Sequence, residues 1–344
     1  MVETILHSHA EFMKLIWRTS NINIIAWGIL FTGLVASRAL GQTDPVRYIP
    51  VPNWPALPTG IEMGQVTGVA TDDGQHVYVF HRSDRTWITP FPTDSIKGQT
   101  IAVFDSVTGE LISTLGHRMF VMPHGLSVDA AGNLWLTDVG SHQVFKLDSA
   151  SGRVLLTLGT SGVAGSDGSH FNRPTDVGFG RDGTIYVADG YLNTRIVRFS
   201  PAGEYLGQWG TPGSQPGQFS LPHGITVSRK RVFVCDRGNL RVQVFNLRGR
   251  YIDQWQGSLI GRPFGIAAGQ RNQIMVIDGG DQPDQTRSRV LILNSRGRIT
   301  TTFSAGIVSD SKNLGHDIAV GRGNAIYVAD AWANCIRKFI PRAN

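Results

Sequence analysis

The chain has 344 residues, 41% of them hydrophobic and 17% charged, with 41 glycines and a net charge of +6. That length can bury a large core, and plentiful glycine with sparse charge suits many short strands joined by tight turns. The positive charge is spread along the chain without a block of like charges and without any RNA- or DNA-binding motif, so no nucleic-acid partner is expected.

In chain order, the first element is the apolar run IIAWGILFTGLVA at 24–36, preceded by Lys14 and Arg18 and followed by SRALGQ. Ala39 and Gly41 stand there as the small residues of a cleavage site. A bilayer span needs about 20 apolar residues, so this shorter run reads as the h-region of a signal peptide covering residues 1–41. A start at Met13 gives the more usual n-region, and the first twelve residues are expected to be a misplaced start. An uncleaved signal anchor is the alternative; without it no stable membrane partner is expected. Either way the mature domain is expected in an exported compartment, secreted or periplasmic.

Residues 42–60 are expected to carry a lead-in and a closing strand near Arg47–Pro52, and residues 61–344 a repeat domain. The domain begins with QVTGVATDDGQHVYVFHR at Gln65 and continues with MPHGLSVDAAGNLWLTDV at Met122 and RPTDVGFGRDGTIYVADG at Arg173. LPHGITVSRKRVFVCDR at Leu221, RPFGIAAGQRNQIMVIDG at Arg262 and LGHDIAVGRGNAIYVADA at Leu314 complete the series. Each stretch is an alternating strand, a polar turn and a second apolar strand; third and fourth strands usually follow, as in RIVRFSP and EYLGQWG. Four short antiparallel strands repeated six times predict an all-β, six-bladed β-propeller, and the repeated pattern resembles the NHL repeat. The last unit ends after three strands, so the N-terminal strand is expected to complete it and close the ring. Cys235 and Cys335 are too few for a disulfide framework and are expected as small core residues.

Equivalent positions differ in an ordered way. At the second residue of the PHG phrase the six units carry Thr67, His124, Thr175, His223, Phe264 and His316. Histidine in every second blade places three imidazoles at one height around the axis, an open three-ligand geometry suited to catalytic Zn²⁺. Just after the second strand, Arg82 and Arg237 occupy opposed blades, and a paired guanidinium fork suits a substrate carboxylate. Tyr191, from blade three, is expected at the same mouth, its phenol pKa lowered by nearby positive charge so that it serves as a base. Asp138, Asp189, Asp236, Asp278 and Asp330 recur in nearly every unit and are read as architecture. Asp317 and Asp176 are exceptions, standing where the other four blades carry glycine, and a hard cation such as Ca²⁺ suits a carboxylate among inner-strand carbonyls. The segment Thr86–Gln99 reads as a plain connecting loop, with a substrate-facing flap as the alternative.

Longer phrases are more specific than a generic NHL unit. GQVTGVA, MPHGLSVDAAGNLWLTDVGSHQVFKLD, VADGYLNTRIVRFSPAGEYLGQWG and PGQFSLPHGITV resemble the peptidyl-α-hydroxyglycine α-amidating lyase family over about residues 60–340. The resemblance implies a zinc site on His124, His223 and His316, and a structural calcium on the carbonyls of Val69 and Leu126 with Asp317. It also implies Tyr191, Arg82 and Arg237 as catalytic residues. The implied reaction cleaves the N–C bond of a C-terminal α-hydroxyglycine, or a similar α-hydroxyamide acid, giving an amide and glyoxylate. The expected partner is therefore a small-molecule or peptide substrate, and the expected state a monomer. The chain departs from the animal pattern at two disulfides, whose positions hold Asn172 with Leu192 and Phe233 with Val244. Leu314 and Gly315 replace a methionine and a proline before the third histidine. Two rivals stand beside this expectation: a non-catalytic exported NHL scaffold, and a metal-dependent propeller hydrolase of the gluconolactonase type.

Overall fold

The computed structural model describes residues 46–342 apart from 73–74, 283–286 and 307–312, and the signal segment lies outside the described residues. Blade one comprises β2 (Val66–Thr71), β3 (His76–His81), β4 (Ile101–Asp105) and β5 (Leu111–Leu115). Blade two comprises β6 (Pro123–Val128), β7 (Leu134–Asp138), β8 (Gln143–Leu147) and β9 (Val154–Leu158). Blade three holds β10 (Asp176–Phe179), β11 (Ile185–Asp189), β12 (Arg195–Phe199) and β13 (Tyr205–Trp209). Blade four holds β14 (Pro222–Ser228), β15 (Arg231–Asp236), β16 (Arg241–Asn246) and β17 (Tyr251–Gln256). Blade five holds β18 (Pro263–Ala268), β19 (Ile274–Asp278), β20 (Arg289–Leu293) and β21 (Ile299–Ser304). Blade six joins β22 (Gly315–Val320), β23 (Ile326–Asp330) and β24 (Cys335–Pro341) to β1 (Tyr48–Pro50).

Every blade is thus a four-stranded antiparallel sheet. The innermost strands neighbour one another in the cycle β2, β6, β10, β14, β18, β22 and back to β2. Closure comes from the N-terminus: Tyr48 pairs with Pro341 and Pro50 with Phe339, which covers an edge that β24 would otherwise expose. The apolar faces pack between blades. One core layer joins Val66, Val79 and Phe104 of blade one to Tyr327 and Ile336 of blade six, and another joins Phe80 and Phe120 to Leu136 and Leu147 across blades one and two.

The recurrent aspartates at the ends of the second strands tie each blade to its own entry loop. Asp138 accepts the Val121 and Met122 amides at 2.5 and 2.8 Å, and Asp236 accepts the Ser220 amide at 2.7 Å. Asp236 and Asp189 also take the Arg241 and Arg195 guanidiniums at 2.8 and 2.9 Å in fully buried pairs. Such charges are tolerated because hydrogen bonds saturate the carboxylate. In blade one His81 stands in the same place, and the Ser83 amide donates to its Nδ1 at 3.2 Å.

The cysteines form no disulfide; Cys235 is fully buried and Cys335 half-buried. The positions that carry bridges in the animal pattern adjoin here as well. The Leu192 amide donates to the Asn172 carbonyl at 3.3 Å, and Phe233 pairs with Val244 across β15 and β16.

Candidate metal centre and catalytic site

The PHG phrase marks an irregularity at the start of the inner strand. Strand pairing slips between Pro123 and Leu126, between Pro222 and Ile225, and between Gly315 and Asp317. A bulge turns a side chain out of the regular alternation, and here each slipped segment contains the histidine. His124, His223 and His316 are all buried and offer ligand nitrogens within 4.8 Å of one another. Their ring centroids are 4.7 to 4.9 Å apart.

The glycine after the histidine has a steric cause. A Cβ at Gly125 would lie 2.3 Å from the Thr175 carbonyl oxygen, and one at Gly224 would lie 2.5 Å from that of Phe264. Glycine admits this approach in blades two and four, while blade six reaches the same contact with Asp317 in that place. The close approach then delivers that same carbonyl to the imidazole. His124 Nδ1 donates to Thr175 O at 2.7 Å, His223 Nδ1 to Phe264 O at 3.0 Å, and His316 Nδ1 to Thr67 O at 2.6 Å. A carbonyl can only accept, so each ring carries its proton on Nδ1 and presents the Nε2 lone pair to the axis. Burial, with the Arg237 charge adding to it at each ring, holds all three histidines below their ordinary pKa, His316 down to about 3. Three neutral, pre-oriented imidazoles are the donor set that zinc requires.

Beneath the histidines stand Asp176 and Asp317, three blades apart and therefore opposed across the axis. They line one small axial cavity with the three histidines, and a second cavity toward the other mouth with Val69 and Leu126. Asp317 accepts the Val69 amide at 2.9 Å, and Asp176 accepts the Ile225 amide at 2.9 Å. Burial raises Asp317 to about 7, and burial together with the Asp317 charge raises Asp176 well above the usual carboxylate range. Two facing buried carboxylates with this handicap fit a bound hard cation, which would remove it.

Tyr191 caps the histidine triangle. Its Oη lies 3.0 Å from His124 Nε2 and 3.5 Å from His223 Nε2. The expected lowering of its pKa is not what the surroundings produce. Burial raises the phenol above its ordinary value, and Arg237, Arg82 and Arg173 oppose that rise without reversing it. Removing a phenolate from water costs more here than guanidiniums at the rim return.

Arg82 and Arg237 differ in their commitments. Arg82 is 3% exposed and donates from Nε to Pro123 O at 3.1 Å and from one terminal nitrogen to Gln65 Oε1 at 2.7 Å. Arg237 lies 3.7 Å over the Phe264 ring, makes a long contact to Asp281 at 3.4 Å and hydrogen-bonds toward the Tyr191 phenol. Its buried Nε has no partner.

The segment Thr86–Gln99 is not a plain connecting loop; it carries Trp87 into the site. The indole lies 5.1 Å from the Tyr191 ring and 6.5 Å from the His124 ring, with the Arg82 guanidinium 4.8 Å from its centroid. The Trp87 amide donates to Gln65 Oε1 at 2.9 Å, and Phe91 packs against the indole at 4.8 Å. Arg173 in turn stacks on Phe91 at 4.3 Å and keeps a buried Nε without a partner. Trp87, Gln65, Arg173 and Asp281 escape a reading of the repeats because they sit in lead-ins and insertions. The one available signal was Trp87 five residues after the His81–Arg82 pair, at the start of the long insertion in blade one.

Comparisons with known proteins bear on this geometry. An NHL repeat model matches residues 120–147 and 219–245. The chain is 36% identical over 312 residues to peptidyl-glycine alpha-amidating monooxygenase B of Xenopus laevis, which covers 84% of this chain but 35% of that protein. The chain therefore spans about a third of that relative's length. It is 34% identical over 289 residues to the probable peptidyl-alpha-hydroxyglycine alpha-amidating lyase of Caenorhabditis elegans, covering 78% of this chain and 80% of that protein. Among solved structures, a gluconolactonase from Xanthomonas campestris superposes with a TM-score of 0.59 at 15% identity, covering 82% of this chain and 87% of that one, which shows the fold alone. A six-bladed propeller, a three-histidine axis and this degree of identity over most of a relative's length place the chain in the peptidyl-α-hydroxyglycine α-amidating lyase family, a family of enzymes rather than binding scaffolds.

Proposed function

We propose that this protein is a zinc-dependent lyase that splits the N–C bond of a C-terminal α-hydroxyglycine into an amide and glyoxylate. One observation carries the proposal: three buried histidines from alternate blades, each with Nδ1 committed to a carbonyl of the next blade, surround a phenol flanked by two arginines. Zinc, when bound to His124, His223 and His316, supplies a Lewis acid that lowers the pKa of the substrate hydroxyl and adds positive charge beside the phenol.

The chain's own residues do the rest. Arg237, which reaches Asp281 and the Tyr191 phenol but keeps a buried Nε without a partner, holds the substrate carboxylate. Arg82, bonded on two sides by protein oxygens, stays in place and steadies charge as the carbinolamide collapses. Tyr191, kept protonated by burial, gives its phenol proton to the departing amide nitrogen as it takes up the proton of the substrate hydroxyl, so that it ends as it began. The carbon–nitrogen bond breaks as the carbonyl of glyoxylate forms, and no proton is gained or lost overall. Trp87 closes the pocket wall and excludes water from the collapsing intermediate. Asp317 and Asp176, with the carbonyls of Val69 and Leu126, would hold a structural calcium, whose charge would relieve the two buried carboxylates. The protein acts as an exported monomer on peptides or small acyl-hydroxyglycines.

The test is glyoxylate release from N-benzoyl-α-hydroxyglycine by metal-loaded protein, beside His223→Ala and Arg237→Ala. Release by wild type that both variants lose is the expected result; fully metallated but inert wild type would overturn the assignment.

A further inference from the structure

Building on the proposed lyase activity, we infer that the groove between blades six and one binds the residues preceding the hydroxyglycine of a peptide substrate and favours basic side chains there. The groove has a volume of about 700 Å³ and opens on the face that carries Tyr191 and the arginines. Gln65 and Thr86 line it. Gln65 accepts hydrogen bonds from Arg82 at 2.7 Å and from the Trp87 amide at 2.9 Å, so the groove runs directly up to the catalytic pocket.

Polarity along this line matches a peptide entering C-terminus first. Arg237 stands on blade four, three blades from blade one and two from blade six, and thus across the axis from the groove. A hydroxyglycine whose carboxylate reaches Arg237 must leave its acyl side on the blade-one side, where the groove begins. The lining also carries Trp332, 49% exposed, an apolar plate against which a side chain can lie. The charged walls are Glu62, Asp84 and Arg85. Arg85 is already paired with Asp94 at 3.1 Å and donates to the Val121 carbonyl at 2.8 Å, whereas Glu62 and Asp84 have no ion-pair partner among the described residues. The uncommitted charge of the groove is therefore negative, although the chain as a whole is positive at +6.

Steady-state kinetics on metal-loaded protein with three substrates ending in α-hydroxyglycine tests this. The first is N-benzoyl-α-hydroxyglycine, which has no upstream residues; the others are pentapeptides with lysine or with glutamate at the two preceding positions. The lysine peptide is expected to show a KM about fivefold below that of the glutamate peptide, the span of one or two exposed ion pairs. Glu62→Gln combined with Asp84→Asn should erase the difference, and Trp332→Ala should raise KM for both peptides while kcat and the benzoyl substrate stay unchanged. Equal KM values for the two peptides, or variants that move the benzoyl substrate as much as the peptides, would overturn the groove. Silence with all three substrates would instead remove the lyase activity on which it rests.

Discussion

Blades two, four and six and blades one, three and five share one fold and one register, yet they contribute different atoms to the axis. The even blades supply imidazoles; the odd blades, at the same position, supply the Thr67, Thr175 and Phe264 carbonyls that orient them. On the odd side it is the backbone that matters, so the side chain is free to vary between threonine and phenylalanine. A six-fold frame thus yields a three-fold site in which every ligand has a neighbour dedicated to holding it. The same division explains the glycines, since Gly125 and Gly224 exist to let those carbonyls approach.

The sharpest way to break this comparison is to truncate one member from each side. His223→Ala should abolish stoichiometric zinc and reduce glyoxylate release below about a thousandth of wild type, read by elemental analysis and turnover. Thr175→Val, which keeps the carbonyl that orients His124, should leave zinc affinity within about tenfold. If the valine variant loses zinc as completely as the alanine variant, side chains rather than backbone orient the site.

Tyr191→Phe should retain zinc and lower kcat by about 10²–10³, the ordinary yield of a positioned proton carrier. Next come the arginines, which sharpen the contrast between blades one and four. Arg237→Ala should lower kcat/KM about a hundredfold with a marked rise in KM, whereas Arg82→Ala should act mainly on kcat and on thermal stability. A smaller effect, about tenfold in kcat, is expected for Trp87→Ala, measured with the benzoyl substrate. Smallest of all, calcium should raise the Tm of chelator-stripped wild type by about 4 °C, and this rise should vanish in Asp317→Asn. An undiminished rise in that variant would place the cation elsewhere.

Much of this was legible before any coordinates. The six PHG-like phrases, with their trailing Asp-ended strands, specify six blades because strand period and turn chemistry are local properties. The histidine alternation, the two exceptional aspartates and the Arg82, Arg237 and Tyr191 set were visible as deviations from a repeat, since a repeat makes equivalent positions comparable. The segment Thr86–Gln99 reads as a plain loop because an insertion has no equivalent in other blades, so nothing in the pattern says where its Trp87 folds. Tyr191 was expected to ionise easily for a related reason: sequence shows neighbouring charges but not the depth of burial that outweighs them.

By itself, then, the sequence determined the propeller and the axis on which the histidines meet, which follow from periodicity and local residue identity, and its longer phrases carried the resemblance to the lyase family. Only the tertiary structure decided which nitrogen of each histidine faces the axis, which arginine remains uncommitted, and that Trp87 walls the pocket. Those outcomes depend on contacts between blades, where side chains from distant segments compete for the same carbonyls, carboxylates and space.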